Sequence, residues 1–189
     1  MTKAKLNQAG FTLAELLVSL VIIVMIISVV GTTFVFNQRV FRVVSTKAEL
    51  LQNARIITDL MAREIRQAVS IVTVLPPDNS DPAAVAHELQ FEDGHIIDQI
   101  QYVRYYLDGT DLRRQMIVYY FETAPAAYVH WDDTDPFGPP ESLALEDKLI
   151  GEFFSQIDFY GDEEITADLI LEKNDKQIEM TVSVQPRNS

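Results

Sequence analysis

From Leu16 to Gln38 the chain runs for 23 residues without a Lys, Arg, Asp or Glu. About 20 apolar residues in a helix, each rising ~1.5 Å, cross a hydrocarbon layer of ~30 Å. No second segment approaches that length, so the chain reads as a single-pass membrane protein or a secretory precursor. A secretory signal carries a shorter apolar part, roughly 7–15 residues, followed by a small-residue cleavage site. Here no such site occurs before Arg39, and the small residues Ala9 and Gly10 stand ahead of the run. Lys3 and Lys5 lie on one side of it and Arg39, Arg42 and Lys47 on the other, so the count of basic residues leaves orientation open.

Charge divides the 189 residues unevenly. Residues 1–70 hold eight Lys or Arg and four Asp or Glu, net +4, whereas residues 71–189 hold seven and 24, net −17. A C-terminal part this acidic repels nucleic acid, and nucleic-acid binding is not indicated. Its bland reading is a solvated acidic head. With no cysteine in the chain, disulfides and Cys-ligated metals are excluded. A head of about 120 residues is nevertheless long enough to bury its own core.

Immediately before the apolar run stands G-F-T-L-A-E, Gly10 to Glu15, with Lys3 and Lys5 upstream and L-L-V-S-L-V-I-I-V-M-I-I downstream. This resembles the N-terminus of bacterial type IV prepilins and pseudopilins. The resemblance implies a leader, residues 1–10, removed by prepilin peptidase between Gly10 and Phe11, and N-methylation of Phe11. It also implies a role for Glu15, a carboxylate that costs at least ~2.5–3.5 kcal/mol at bilayer depth without a partner. In this family the Glu is thought to attract the N-terminal amine of a neighbouring subunit, here the amine of Phe11. The alternative is a Glu that snorkels to the membrane edge with no specific partner. Implied partners are prepilin peptidase, other pilin or pseudopilin subunits, an inner-membrane assembly platform, and membrane lipid before assembly. The implied location is a single pass in the bacterial inner membrane, head outside the cytoplasm, then a cell-envelope or surface filament.

Past Arg39 the apolar pattern becomes periodic. Val43, Leu50, Ala54, Ile57, Met61, Ile65 and Ala68 recur mostly three and four apart, one face of a helix. No Pro precedes Pro76, so one helix of nearly 60 residues is expected, about 85 Å long. Residues 11–38 form its membrane or filament-core half and residues 39–70 its amphipathic half. Many major pilins carry a Pro within the membrane part, where this chain has Gly31-Thr32-Thr33; the difference favours a minor subunit and leaves local unwinding open. The basic residues Arg39, Arg42, Lys47, Arg55, Arg63 and Arg66 have three readings: contact with lipid, contact with acidic heads of neighbours, or a solvated face.

Residues 71–189 read as a β-rich head. Ile71–Leu75 fits a short first strand, and 76–86 a loop. Residues 100–107 and 112–121 are aromatic and β-branched around Asp108-Gly109-Thr110-Asp111, a hairpin signal. Residues 124–147 read as an irregular acidic connection, followed by strands near 149–160, 165–173 and 177–184. The fold class is α+β, a long N-terminal helix packed on a mostly antiparallel sheet. Asn53–Ala68, Tyr102–Arg114 and Val184–Ser189 further resemble W-type minor pilins and J-type minor pseudopilins of type II secretion.

Catalytic signatures are absent from the sequence. His87, His95 and His130 fit no metalloprotease spacing, and no G-x-S-x-G or phosphate-cradling loop occurs. Asp133, Asp135 and Gly138 match the first, third and sixth positions of a calcium loop. Phe137 and Ala144 occupy the fifth and twelfth, where ligands are needed, which makes calcium a weak candidate and an acidic solvated loop the simpler reading. The expected protein is not an enzyme and needs no cofactor. It is a minor pilin or pseudopilin that primes or caps a type IV pilus or type II secretion-type filament. The alternatives are a membrane-anchored sensor or enzyme and a major pilin of the filament shaft.

Overall fold

The computed structural model describes residues 12–95 and 99–187. Among these residues helix α1, Leu13–Gln67, is followed by eight strands. The chain forms two compact units, residues up to Ser45 and residues from Thr46 onward.

In the first unit α1 is helical without interruption through Gly31, and every large apolar side chain from Leu13 to Val44 is exposed. The hydroxyls inside this apolar stretch turn back onto the helix. Ser19 donates to the Glu15 carbonyl at 2.8 Å, Ser28 to Val24 at 2.8 Å, and Thr33 to Val29 at 2.8 Å. Thr32 reaches the carbonyls of Ser28 and Val29. Satisfied locally, these groups make no demand on a surrounding hydrocarbon phase. It is the one helix among the described residues long and apolar enough to cross a membrane.

The second unit holds the remaining turns of α1 and two antiparallel sheets. The first contains β1 (Leu89–Glu92), β2 (Tyr102–Asp108), β3 (Asp111–Tyr120), β4 (Tyr128–Val129) and β5 (Glu141–Gly151). Strand β5 pairs with β3 along its length, so β2 and β4 share the other edge of β3. The second sheet has the order β6-β7-β8, Phe154–Tyr160, Ile165–Lys173 and Lys176–Val184. Leu50, Ala54, Ile57, Met61 and Ile65 of the helix segment, and Ala68 just beyond it, bury against Phe91, Val103, Tyr105 and Leu112 of one sheet. From the other come Phe154, Ile157, Phe159, Leu169 and Leu171. Each Leu, Ile, Val, Phe or Met among them contributes about 1.5–3 kcal/mol when fully buried.

Two-residue turns close both main hairpins. Gly109 at φ +66° opens the turn between β2 and β3, while Asn174 (+51°) and Asp175 (+58°) form the β7–β8 turn. In the β7–β8 turn the two successive positive φ values match the right-handed twist of the strands they join.

The structure corrects several expectations. Val43 stays 40% exposed, and the buried stripe begins at Leu50, where strand side chains of the same unit cover the helix. Ile71–Leu75 is not a strand. The N–H groups of Val72 and Thr73 both bond to the Gln90 carbonyl, which ends the ladder, and Val74 is 92% exposed. Residues 141–147 are not irregular but belong to β5, because their backbone completes the second edge of β3. The stretch 149–160 is two strands, broken where Phe153 takes φ +71° and the chain changes sheets. Strand β1 was not expected at all.

Candidate functional site

The N-terminal end of α1 is the best-marked site. Gly10 and Phe11, where cleavage and N-methylation were expected, lie outside the described residues. The helix begins just after them, and Thr12 caps it. The Thr12 N–H donates to Glu15 Oε2 at 2.9 Å and its hydroxyl to the same oxygen at 3.0 Å, while the Glu15 N–H reaches Thr12 Oγ1 at 3.3 Å. This is a capping box, in which a Thr and a Glu three residues later satisfy each other's exposed backbone donors. A carboxylate also complements the positive end of the helix dipole. Both bonds land on Oε2; among the described residues, none reaches Oε1.

Sequence reasoning missed the part played by Thr12. Its signal was present, because T-x-x-E ahead of an apolar run is a capping-box pattern. The structure thus gives Glu15 a local partner that neither the docking reading nor the snorkelling reading contained.

Among the described residues the head offers no comparable centre. His87 Nδ1 lies 2.9 Å from Asp158 Oδ1, His95 Nδ1 lies 3.2 Å from Asp93 Oδ1, and His130 Nδ1 lies 3.7 Å from Glu92 Oε2. Each histidine has its own carboxylate. The candidate calcium ligands are occupied in turns: Asp133 Oδ2 accepts the His130 N–H at 2.8 Å, and Asp135 Oδ1 accepts those of Phe137 and Gly138. Among the described residues no three His, Asp or Glu side chains are grouped to hold a metal ion.

Two buried polar clusters organise the head. Glu64 of α1 accepts the Tyr105 hydroxyl at 2.5 Å and Arg114 Nε at 2.9 Å, and Arg114 Nη1 reaches Glu146 Oε2 at 3.3 Å. Burial pushes the Tyr105 phenol up, and the Glu64 charge beside it adds to the rise. Burial, the largest single influence, would lower Arg114, but the bond to Glu64 and the charges of Glu64, Tyr105 and Glu146 together outweigh it and the guanidinium ends above its ordinary value. Tyr102 is fully buried and receives the Trp131 backbone N–H at 3.2 Å. Burial is the main cause that lifts its phenol to about 12, with the Trp131 bond opposing. On the open face of the sheet, Arg113 Nε bonds Asp147 at 2.7 Å and holds that carboxyl below its ordinary value.

Residues 5–31 match the family profile described as the prokaryotic N-terminal methylation motif. The match supports a type IV pilin-like, prepilin-type protein. It spans the helix start, including Gly10, Phe11 and the Thr12–Glu15 box, and leaves the head outside it. Comparisons with curated proteins and with solved structures return no match. A motif of this kind points to processing by prepilin peptidase, association with other pilins, a membrane-anchored state and a structural rather than catalytic part.

Proposed function

We propose that this chain is a minor pilin or pseudopilin, a structural subunit that joins and primes or caps a type IV pilus or type II secretion-type filament. The observation that carries the reading is the methylation motif at residues 5–31 standing on an uninterrupted apolar helix. Prepilin peptidase cuts between Gly10 and Phe11, and Phe11 is N-methylated. The mature subunit waits in the inner membrane, head outward, surrounded by lipid, until the assembly platform extracts it. Glu15 then pairs with the Phe11 amine of a neighbouring subunit. The capping box supports this role, since it fixes the carboxylate at the helix end and leaves Oε1 without a bond among the described residues. In a water-excluded filament core, that attraction is far stronger than in bulk solvent. No cofactor enters the proposal, and calcium at Asp133 and Asp135 is not part of it.

The test separates capping from docking. Wild type, Glu15→Ala and Glu15→Gln are produced in a bacterium with a prepilin peptidase, crosslinked in membranes and analysed by mass spectrometry. Wild type is expected to begin at N-methylated Phe11 and to crosslink to pilin-like subunits. Glu15→Gln keeps an oxygen for the Thr12 N–H but loses the charge, so it should be cut normally and yet lose those crosslinks. A wild-type chain that begins at Met1 without such partners would overturn the proposal in favour of an anchored sensor or enzyme. Dominance of the chain in sheared filaments would make it a major pilin.

A further inference from the structure

The outer edge of β5 is open. The strand pairs with β3 from Glu141 to Gly151, bulging at Leu145 and Ile150, and, among the described residues, with no other strand. Leu143, Leu145 and Leu149 are each about half exposed along it, at 49%, 48% and 47%. Native sheets ordinarily blunt a long edge with charged side chains, proline, β-bulges or a covering element, because unpaired N–H and C=O groups recruit further strands; in β5 the bulges still leave Glu141–Ala144 and Glu146–Leu149 in regular register. Here the one lysine, Lys148, is engaged by Glu146.

A cavity of about 360 Å³ lies at the N-terminal end of β5, where Glu141, the first residue of the strand, pairs with the last residue of β3 and forms part of its wall. Phe121, Glu122, Asp135, Phe137 and Pro139 complete most of the lining. Phe137 is 85% exposed. It sits at the tip of a tight turn closed by paired backbone bonds between Asp135 and Gly138, at 3.1 and 3.2 Å. Asp135 Oδ1 already accepts the Phe137 and Gly138 N–H groups and Glu141 Oε2 the Tyr120 hydroxyl, so Glu122, the remaining carboxylate oxygens and the two aromatic rings form the setting for one cationic side chain, through charge and through the ring faces.

We propose that the β5 edge is a strand-addition site for an extended segment of another protein, alternately apolar, whose Lys or Arg enters the Phe121–Phe137 cavity. Backbone bonds to β5 supply the affinity and the side-chain pattern supplies the selection, as in other strand additions. Charge chooses the occupant. A second copy of this chain would bring its own Glu141, Glu146 and Asp147 to an edge already acidic, in a head of net −17. Anionic lipid is repelled for the same reason. The inference does not depend on the prepilin reading, so either can fail without the other.

The full chain in nonionic detergent micelles is titrated with a labelled synthetic peptide that alternates valine and threonine and ends in lysine. Three measurements follow: binding by fluorescence anisotropy, amide hydrogen exchange of residues 141–151, and sedimentation. Saturating peptide should slow exchange along β5 about tenfold or more. A glutamate-ended peptide, a peptide N-methylated on alternate backbone nitrogens, and the variant Leu145→Lys should each bind about tenfold more weakly or worse. Leu145 is half exposed, so the variant folds, which circular dichroism checks. Protection elsewhere, equal binding of the N-methylated peptide, or no binding of the lysine peptide by about 1 mM would overturn the proposal. Self-association of the free chain that Leu145→Lys abolishes would overturn it as well, by giving the edge to a second copy.

Discussion

Removing the Glu64 carboxylate should loosen the attachment of the helix segment to the first sheet. Glu64 accepts both the Tyr105 hydroxyl and Arg114 Nε, and its side chain and that of Arg114 are each only 13% exposed. Breaking a buried pair by deleting one partner costs about 3–5 kcal/mol, because the other charge is left uncompensated. Arg114 retains Glu146 at 3.3 Å, which places Glu64→Ala near the lower bound, about 3 kcal/mol. Glu64→Gln keeps an acceptor for Tyr105 and loses only the charge, so its loss should be about half as large. The assay is urea unfolding of the full chain in detergent, followed through Trp131, the single tryptophan. With a slope of about 2 kcal/mol per molar urea, the Ala variant should lower the midpoint by roughly 1.5 M. Arg114→Met supplies the second arm of a double-mutant cycle, and a coupling of at least ~1 kcal/mol is expected. A loss below ~1 kcal/mol for Glu64→Ala, or strict additivity with Arg114→Met, would show that the pair is a solvated contact and refute the reasoning.

Asp175→Gly should raise stability by about 0.5–1 kcal/mol, because Asp175 holds φ +58° at a turn position where glycine pays no steric cost, a gain read from the urea midpoint. Alkaline pH should destabilise the head through Tyr102. Folding lifts its phenol from the usual value near 10 to about 12, so the unfolded chain releases the proton first. Its contribution is complete below pH ~10 and is lost as pH rises to ~12, and urea midpoints across that window should fall less steeply in Tyr102→Phe.

The elements legible in the sequence were those that carry their own punctuation. A charge-free run, a stripe at helical spacing, Asp-Gly and Asn-Asp turns each declare a local structure, and α1 and both hairpins came out where those signals stood. Strand β5 was illegible because its leading half faces outward and follows a segment rich in Pro, Asp and Gly. Its identity comes from β3, thirty residues upstream in the register, which offers an edge that only tertiary context reveals. Ile71–Leu75 failed in the opposite sense: its β-branched residues favour a strand, yet the Gln90 carbonyl takes two donors and the ladder ends. At the candidate site the motif is plain in the sequence and the Thr12 partner less so, since T-x-x-E lies inside the longer G-F-T-L-A-E stretch. The Glu64 clamp was out of reach, because nothing in the helix sequence announces which exposed-looking carboxylate will meet an arginine fifty residues on.

The buried stripe of α1 runs on to Ala68, one residue past the helix, while its partners in the second sheet, Leu169, Leu171 and Val184, come more than a hundred residues later. At a synthesis rate of roughly 5–20 residues per second, the stripe leaves the ribosome some 5–20 s before those strands exist. The head therefore cannot close while it is being made. Throughout that interval the growing chain exposes two greasy surfaces in tandem, and the timing of translation, as much as the final packing, decides which of them a chaperone or a bilayer meets first.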